Sequence, residues 1–128
     1  MKEEELLLNK TSKEFRESVK QVIAFIEQAK TIYPDVNFSY NIEYSHYDQG
    51  QEYIDLFLDL SIFEEIPMDL FMFSYHLSKR RIKIDTLDSQ LESYSSYFDD
   101  VNAYQAVENF ISGVEYKLAW LQWEIDND

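Results

Sequence analysis

Hydrophobic positions along this chain recur with two different periods, and the changes of period mark its elements. Phe15, Val19, Val22, Ile26 and Ala29 step by four and three, which places them on one face of a helix. Thr11 or Ser12 stands where an N-cap is needed, and Glu14 follows Thr11 at capping-box spacing. Pro34 ends the run, because the residue before a proline disfavours helical dihedrals. The pattern predicts a helix over residues 12–32, with Glu3–Leu8 adding a short turn or strand ahead of it.

The period then drops to two. Val36, Phe38, Tyr40, Ile42 and Tyr44 alternate with Asn37, Ser39, Asn41, Glu43 and Ser45. After His46–Gln51, where Gly50 is free to take positive φ, Ile54, Leu56, Leu58, Leu60 and Ile62 alternate with Tyr53, Asp55, Phe57, Asp59 and Ser61. Two such runs around a short glycine-containing loop predict an antiparallel hairpin. Its aliphatic face should pack on the helices. Its other face then shows Asn37, Ser39, Asn41, Glu43, Asp55, Phe57 and Asp59, a polar and acidic surface. Past a loop at Glu64–Asp69, Leu70–Leu77 and Ile82–Thr86 predict a second hairpin around Ser78-Lys79-Arg80.

Helical spacing returns at Leu87, Leu91, Tyr94 and Phe98, which predicts a short helix near 88–98. Ala103, Val107, Phe110, Val114, Leu118 and Leu121 predict a long one over 102–125, capped by Asp100 or Asn102. The order is α-β-β-β-β-(α)-α in one domain over 1–128. The expected class is α+β: an antiparallel sheet of about four strands, in two hairpins, flanked by an N-terminal helix and a long C-terminal helix.

The last helix carries a second stripe. At roughly 100° per residue, Tyr116, Trp120 and Trp123 lie about 140–200° from Leu118. One core layer cannot bury both stripes. Either this helix is sandwiched between the sheet and the first helix, or the aromatic stripe is a contact patch of the kind Trp and Tyr supply in interfaces.

Composition narrows the chemistry. No cysteine among 128 residues excludes disulfides, thiolate metal sites and cysteine nucleophiles. Two glycines cannot build a phosphate-binding loop. Asp55 and Asp59 share a strand face but sit about 13 Å apart, too far to grip one metal ion. His46 and His76 are the only histidines, and no nucleophile elbow or zinc motif accompanies them. A set built from Ser74, His76 and an acid would have to be assembled by the fold. The sequence therefore predicts no catalytic residues, no metal and no cofactor.

Charge changes the picture most. The net charge is −14, and it is unevenly placed. Residues 1–30 are neutral, residues 31–78 hold nine acids and no Lys or Arg, and 84–128 hold ten acids against Lys117. Lys79, Arg80, Arg81 and Lys83 form the one basic run. Such a field repels nucleic acid and anionic membrane, and attracts basic proteins. No signal peptide or span of about 18 apolar residues is visible, so a cytoplasmic location is expected. The sequence points to an acidic binding protein, such as the immunity protein of a basic toxin, with Glu43, Asp55, Asp59, Glu64, Glu65, Tyr116, Trp120 and Trp123 as partner-binding residues. The competing readings are a homo-oligomeric structural or adaptor domain joined through the aromatic stripe as a homodimer, and a small enzyme using His46 or His76.

Overall fold

The computed structural model describes residues 9–63, 69–87 and 93–127. The expected element at Glu3–Leu8 and the acids Glu64 and Glu65 lie outside them. Helix α1 (Lys13–Ile32) opens on Ser12, whose Oγ accepts the Phe15 N–H at 3.2 Å. The cap is thus Ser12 rather than Thr11, and the Thr11–Glu14 capping-box spacing is one residue out of phase. The apolar stripe of α1 is buried from Phe15 to Ala29, as its spacing predicts.

Strands β1 (Asn37–Tyr47) and β2 (Gln51–Ser61) pair antiparallel, from Asn37 opposite Ser61 to Tyr47 opposite Gln51. Between them Gln49 and Gly50 both take positive φ, 68° and 73°. Strands β3 (Asp69–His76) and β4 (Arg81–Leu87) form the second hairpin. The sheet runs in sequence order, β1-β2-β3-β4-β5, antiparallel throughout.

The fifth strand corrects the expected short helix. Residues 93–99 form β5 (Ser93–Asp99) against β4, with Ile82 opposite Phe98. The helical spacing of Leu87, Tyr94 and Phe98 is coincidental. In the sheet Leu87 lies in the row of Asp59 and Leu70, whereas Tyr94 and Phe98 lie on the other face. The segment is rich in Ser, Tyr and Phe, residues that favour strands or are indifferent helix formers. Pairing also gives the backbone groups of β4 their partners, which a helix there would leave unpaired.

Helix α2 (Ala103–Asp126) follows a single 3-10 turn at Asp100–Asn102. Its N-cap is Asn102, and Asp100 is turned to other work: it is buried and accepts from Tyr75 Oη at 3.1 Å and Arg80 Nε at 2.9 Å. Farther along, Lys117 is paired with the buried Asp69 at 3.2 Å. Since Tyr75 and Asp69 mark opposite ends of β3, α2 runs antiparallel to that strand. Ile54, Leu56, Leu58, Leu60 and Ile62 are buried beneath the helices, each worth about 1.5–3 kcal/mol. Phe15 stacks on Phe73 and Tyr75, and Phe110 meets Phe71 and Phe73 edge-on. Both helices therefore close one side of the sheet, and among the described residues no helix covers the other side. Among the described residues no helix is long and apolar enough to cross a membrane.

Candidate functional site

The register decides which side chains share the open side of the sheet. Ladder partners point the same way, so Glu43, Asp55, Ser74, Lys83 and Tyr97 form one row across five strands. The neighbouring rows are Ser45, Tyr53, His76, Arg81, Asp99 and Asn41, Phe57, Met72, Asp85, Ser95. The face is thus mixed in charge rather than uniformly acidic, because the basic run lands partly on it.

These rows enclose a shallow recess of about 300 Å³, walled by Tyr47, Tyr53, Asp55, Met72, Ser74 and Lys83. Long side chains around it bury short ones at its base. Asp55 is 4% exposed and Ser74 2%. Asp55 accepts from Ser45 Oγ at 2.7 Å. Ser74 Oγ has no hydrogen-bond partner among the described residues. Lys83 lies 3.4 Å from Asp85, which also accepts from Ser95 Oγ. Burial works against the Lys83 ammonium, but the charge and hydrogen bond of Asp85, aided by Tyr97 and Tyr53, outweigh it and hold its pKa above the usual lysine value.

His76 borders this region, with its ring edge-on to Tyr53 at 4.7 Å. Its Nδ1 accepts the Lys79 N–H at 3.2 Å, so the neutral ring carries its proton on Nε2. Burial, with the charges of Lys79 and Arg81, pushes its pKa below the usual histidine value. That Nε2 is buried and finds no acceptor among the described residues. Ser74 and His76 are two residues apart on one strand, and no hydrogen bond joins them. His46 lies opposite Glu52, on the other side of the sheet from His76. Among the described residues no group of three or more His, Asp or Glu is placed to hold a metal ion.

The second candidate surface is on α2. Tyr116, Trp120 and Trp123 are 79%, 49% and 56% exposed. The sandwiched arrangement does not occur: α1 packs beside α2, on the same side of the sheet, and the aromatic stripe faces away from the core. The indole rings of Trp120 and Trp123 stack at 5.4 Å and 19°. Tyr116, Ala119, Trp120 and Trp123 have the i, i+3, i+4, i+7 spacing of helix anchors and line an apolar hollow of about 250 Å³. By helical angle, Glu108, Glu115 and Asp126 fall along the flank of the stripe nearer α1, roughly 60–80° from Leu118. A further depression of about 270 Å³ lies on that side, lined by Phe25, Ile32, Tyr33, Glu115 and Leu118.

The residues marked from sequence therefore divide. Glu43 is exposed and accepts from Asn41 Nδ2, Asp59 is half-buried, and Asp55 sits at the base of the recess. Burial raises the Asp59 pKa above the usual carboxylate value. These three share the open sheet side, whereas Tyr116, Trp120 and Trp123 lie on the outer side of the helix layer, so one flat interface cannot use both sets. Sequence reasoning missed Tyr47, Tyr53 and Lys83. The alternation already placed Tyr53 on the face of Asp55, but bringing Ser74 and Lys83 beside it needed the register of β2 with β3 and β4. Comparison with protein-family models, curated proteins and solved structures gives no match for this chain.

Proposed function

We propose that this protein is a small acidic binding protein that docks a basic protein partner through the aromatic face of α2. The observation that carries the reading is the exposed, stacked Trp120–Trp123 pair with Tyr116 one turn before it. An apolar cluster of this kind, kept in water, marks an interaction site. Charge selects the partner. Glu108, Glu115 and Asp126 flank the stripe, and Lys117, the one base on α2, is committed to Asp69. A basic surface gains ion pairs with that flank and cation–π contacts with the rings. The specific form we propose is an inhibitor, an immunity-type protein that covers a basic toxin such as a nuclease in the cytoplasm.

Self-association through the same rings is the second reading, favoured by the stacked indoles. It brings two chains of net charge −14 together, which opposes it. The test is affinity capture from the native host with wild type and Trp120→Ala, alongside light scattering. The expected result is one basic protein, released by salt, and held about 30-fold more weakly by the variant, as for loss of an aromatic hot spot. Equal capture by both forms overturns the aromatic face as the site. A salt-resistant dimer that Trp120→Asp makes monomeric transfers the face to self-association.

A further inference from the structure

The recess on the open side of the sheet has the makings of a ligand site, independent of α2 on the opposite side. Two polar groups at its base are incompletely used. Asp55 is buried, and its side-chain donor among the described residues is the Ser45 hydroxyl. A carboxylate can accept about four hydrogen bonds, and burying one short of donors is costly. Beside it on the next strand, Ser74 Oγ is buried and unpartnered among the described residues. A donor-rich group entering the recess would satisfy both atoms at once.

The sign of that group follows from the surroundings. Lys83 is paired with Asp85, so those two charges cancel locally. Arg81 stands opposite Asp99 across β4 and β5. Among the described residues the rows of this face carry Glu43, Asp55, Asp59, Asp85 and Asp99 against Lys83 and Arg81. The excess is negative, which favours a cation. The walls agree. Tyr47 and Tyr53 meet edge to face at 5.6 Å, and both line the recess. Tyrosine faces attract organic cations, and a guanidinium also stacks on them. Its five fixed donors can reach a carboxylate and a hydroxyl together, which a compact ammonium does less well. The volume of about 300 Å³ is at the small end of ligand pockets, enough for such a head group.

We infer that this recess binds a guanidinium group, with Asp55 and Ser74 Oγ as its hydrogen-bond acceptors and Tyr47 and Tyr53 as its walls. The group can arrive on a small molecule or on an arginine side chain of another protein. The chemistry at the site is the same.

The test is an NMR titration of the intact protein with agmatine, with N-acetyl-arginine amide, with its neutral citrulline counterpart, and with succinate. Saturable shifts centred on the amides of Tyr53, Asp55 and Ser74 are expected with the two guanidinium compounds and not with the other two. Shifts with the arginine amide, with or without agmatine, support the site, whereas shifts with agmatine alone credit the ammonium that only it carries and overturn the guanidinium assignment. Asp55→Asn should weaken binding about tenfold or more, as for a charge-assisted hydrogen bond. Glu17→Gln, an equal charge change on α1, should leave it unaltered. If Asp55→Asn fails to fold, Tyr47→Ala takes its place, since Tyr47 is largely exposed and its loss removes one wall. It should weaken binding several-fold. The inference is overturned if neither guanidinium compound gives saturable shifts, if succinate binds in their place, or if the recess variants bind as wild type does.

Discussion

The contact that fixes the start of α2 to the sheet is Asp100, and its removal makes a quantitative test. The Asp100 carboxylate is buried and accepts from the hydroxyl of Tyr75, itself 2% exposed. It also accepts from Arg80, whose side chain is two-thirds exposed. Asp100→Ala removes both hydrogen bonds and strands the Tyr75 hydroxyl in the core. Arg80 can turn to water, so the dominant cost is the stranded hydroxyl and its lost charged acceptor, about 2–3 kcal/mol. Tyr75→Phe removes the same hydrogen bond without stranding a donor, because Asp100 keeps Arg80, and should cost about 1–2 kcal/mol. With both changes no hydroxyl is left to strand. The double variant should therefore lose about 1 kcal/mol or more less than the sum of the single losses. Urea unfolding followed by far-UV circular dichroism measures the three differences, provided the m-value stays constant. In a chain of this length each kcal/mol also lowers Tm by about 3–5 °C. Losses that add within about 0.3 kcal/mol would refute the coupling.

The remaining predictions concern pH and the hairpin turn. His76 titrates below its usual value in the fold, so the unfolded chain binds its proton first as pH falls. The stability it contributes is full above the unfolded pKa near 6.5 and is lost as pH falls toward the folded value. Unfolding midpoints of wild type against His76→Gln from pH 8 to 5 should show a shallower decline in the variant. Parallel curves would sink this assignment. Gly50 has φ +73°, and nothing lies within 4 Å of an added Cβ. Gly50→Ala should therefore cost about 1 kcal/mol through backbone conformation alone, read as a lower Tm with an unchanged circular dichroism spectrum.

Periodicity carried most of the fold. The stripe from Phe15 to Ala29, the alternation from Val36 to Ile62 and the stripe from Ala103 to Leu121 each resist being read as another element, because period 3.6 and period 2 place different residues on one face. The segment at 93–99 escaped for the opposite reason. Its few apolar residues fit either period, and the deciding term was a long-range one, the unpaired edge of β4. The aromatic stripe on α2 was legible too, since helical angle alone sets Tyr116, Trp120 and Trp123 opposite Leu118. Its exposure was not, because that depends on where α1 packs.

By itself, then, the sequence determined the α+β class, the two helices with their buried stripes, both hairpins and a net charge confined to the sheet region and the C-terminal third. These are local properties, set by spacing and residue type within one element. Only the tertiary structure decided that Asp55, Ser74 and the Tyr47–Tyr53 pair surround one recess, that the basic run falls partly on the same face, and that the aromatic stripe looks away from both. Each of these depends on strand register and on the side of the sheet the helices choose. Alternation within a strand tells which face Asp55 or Tyr53 takes, but which residue of a neighbouring strand stands beside it follows from the pairing between strands, which no single strand encodes.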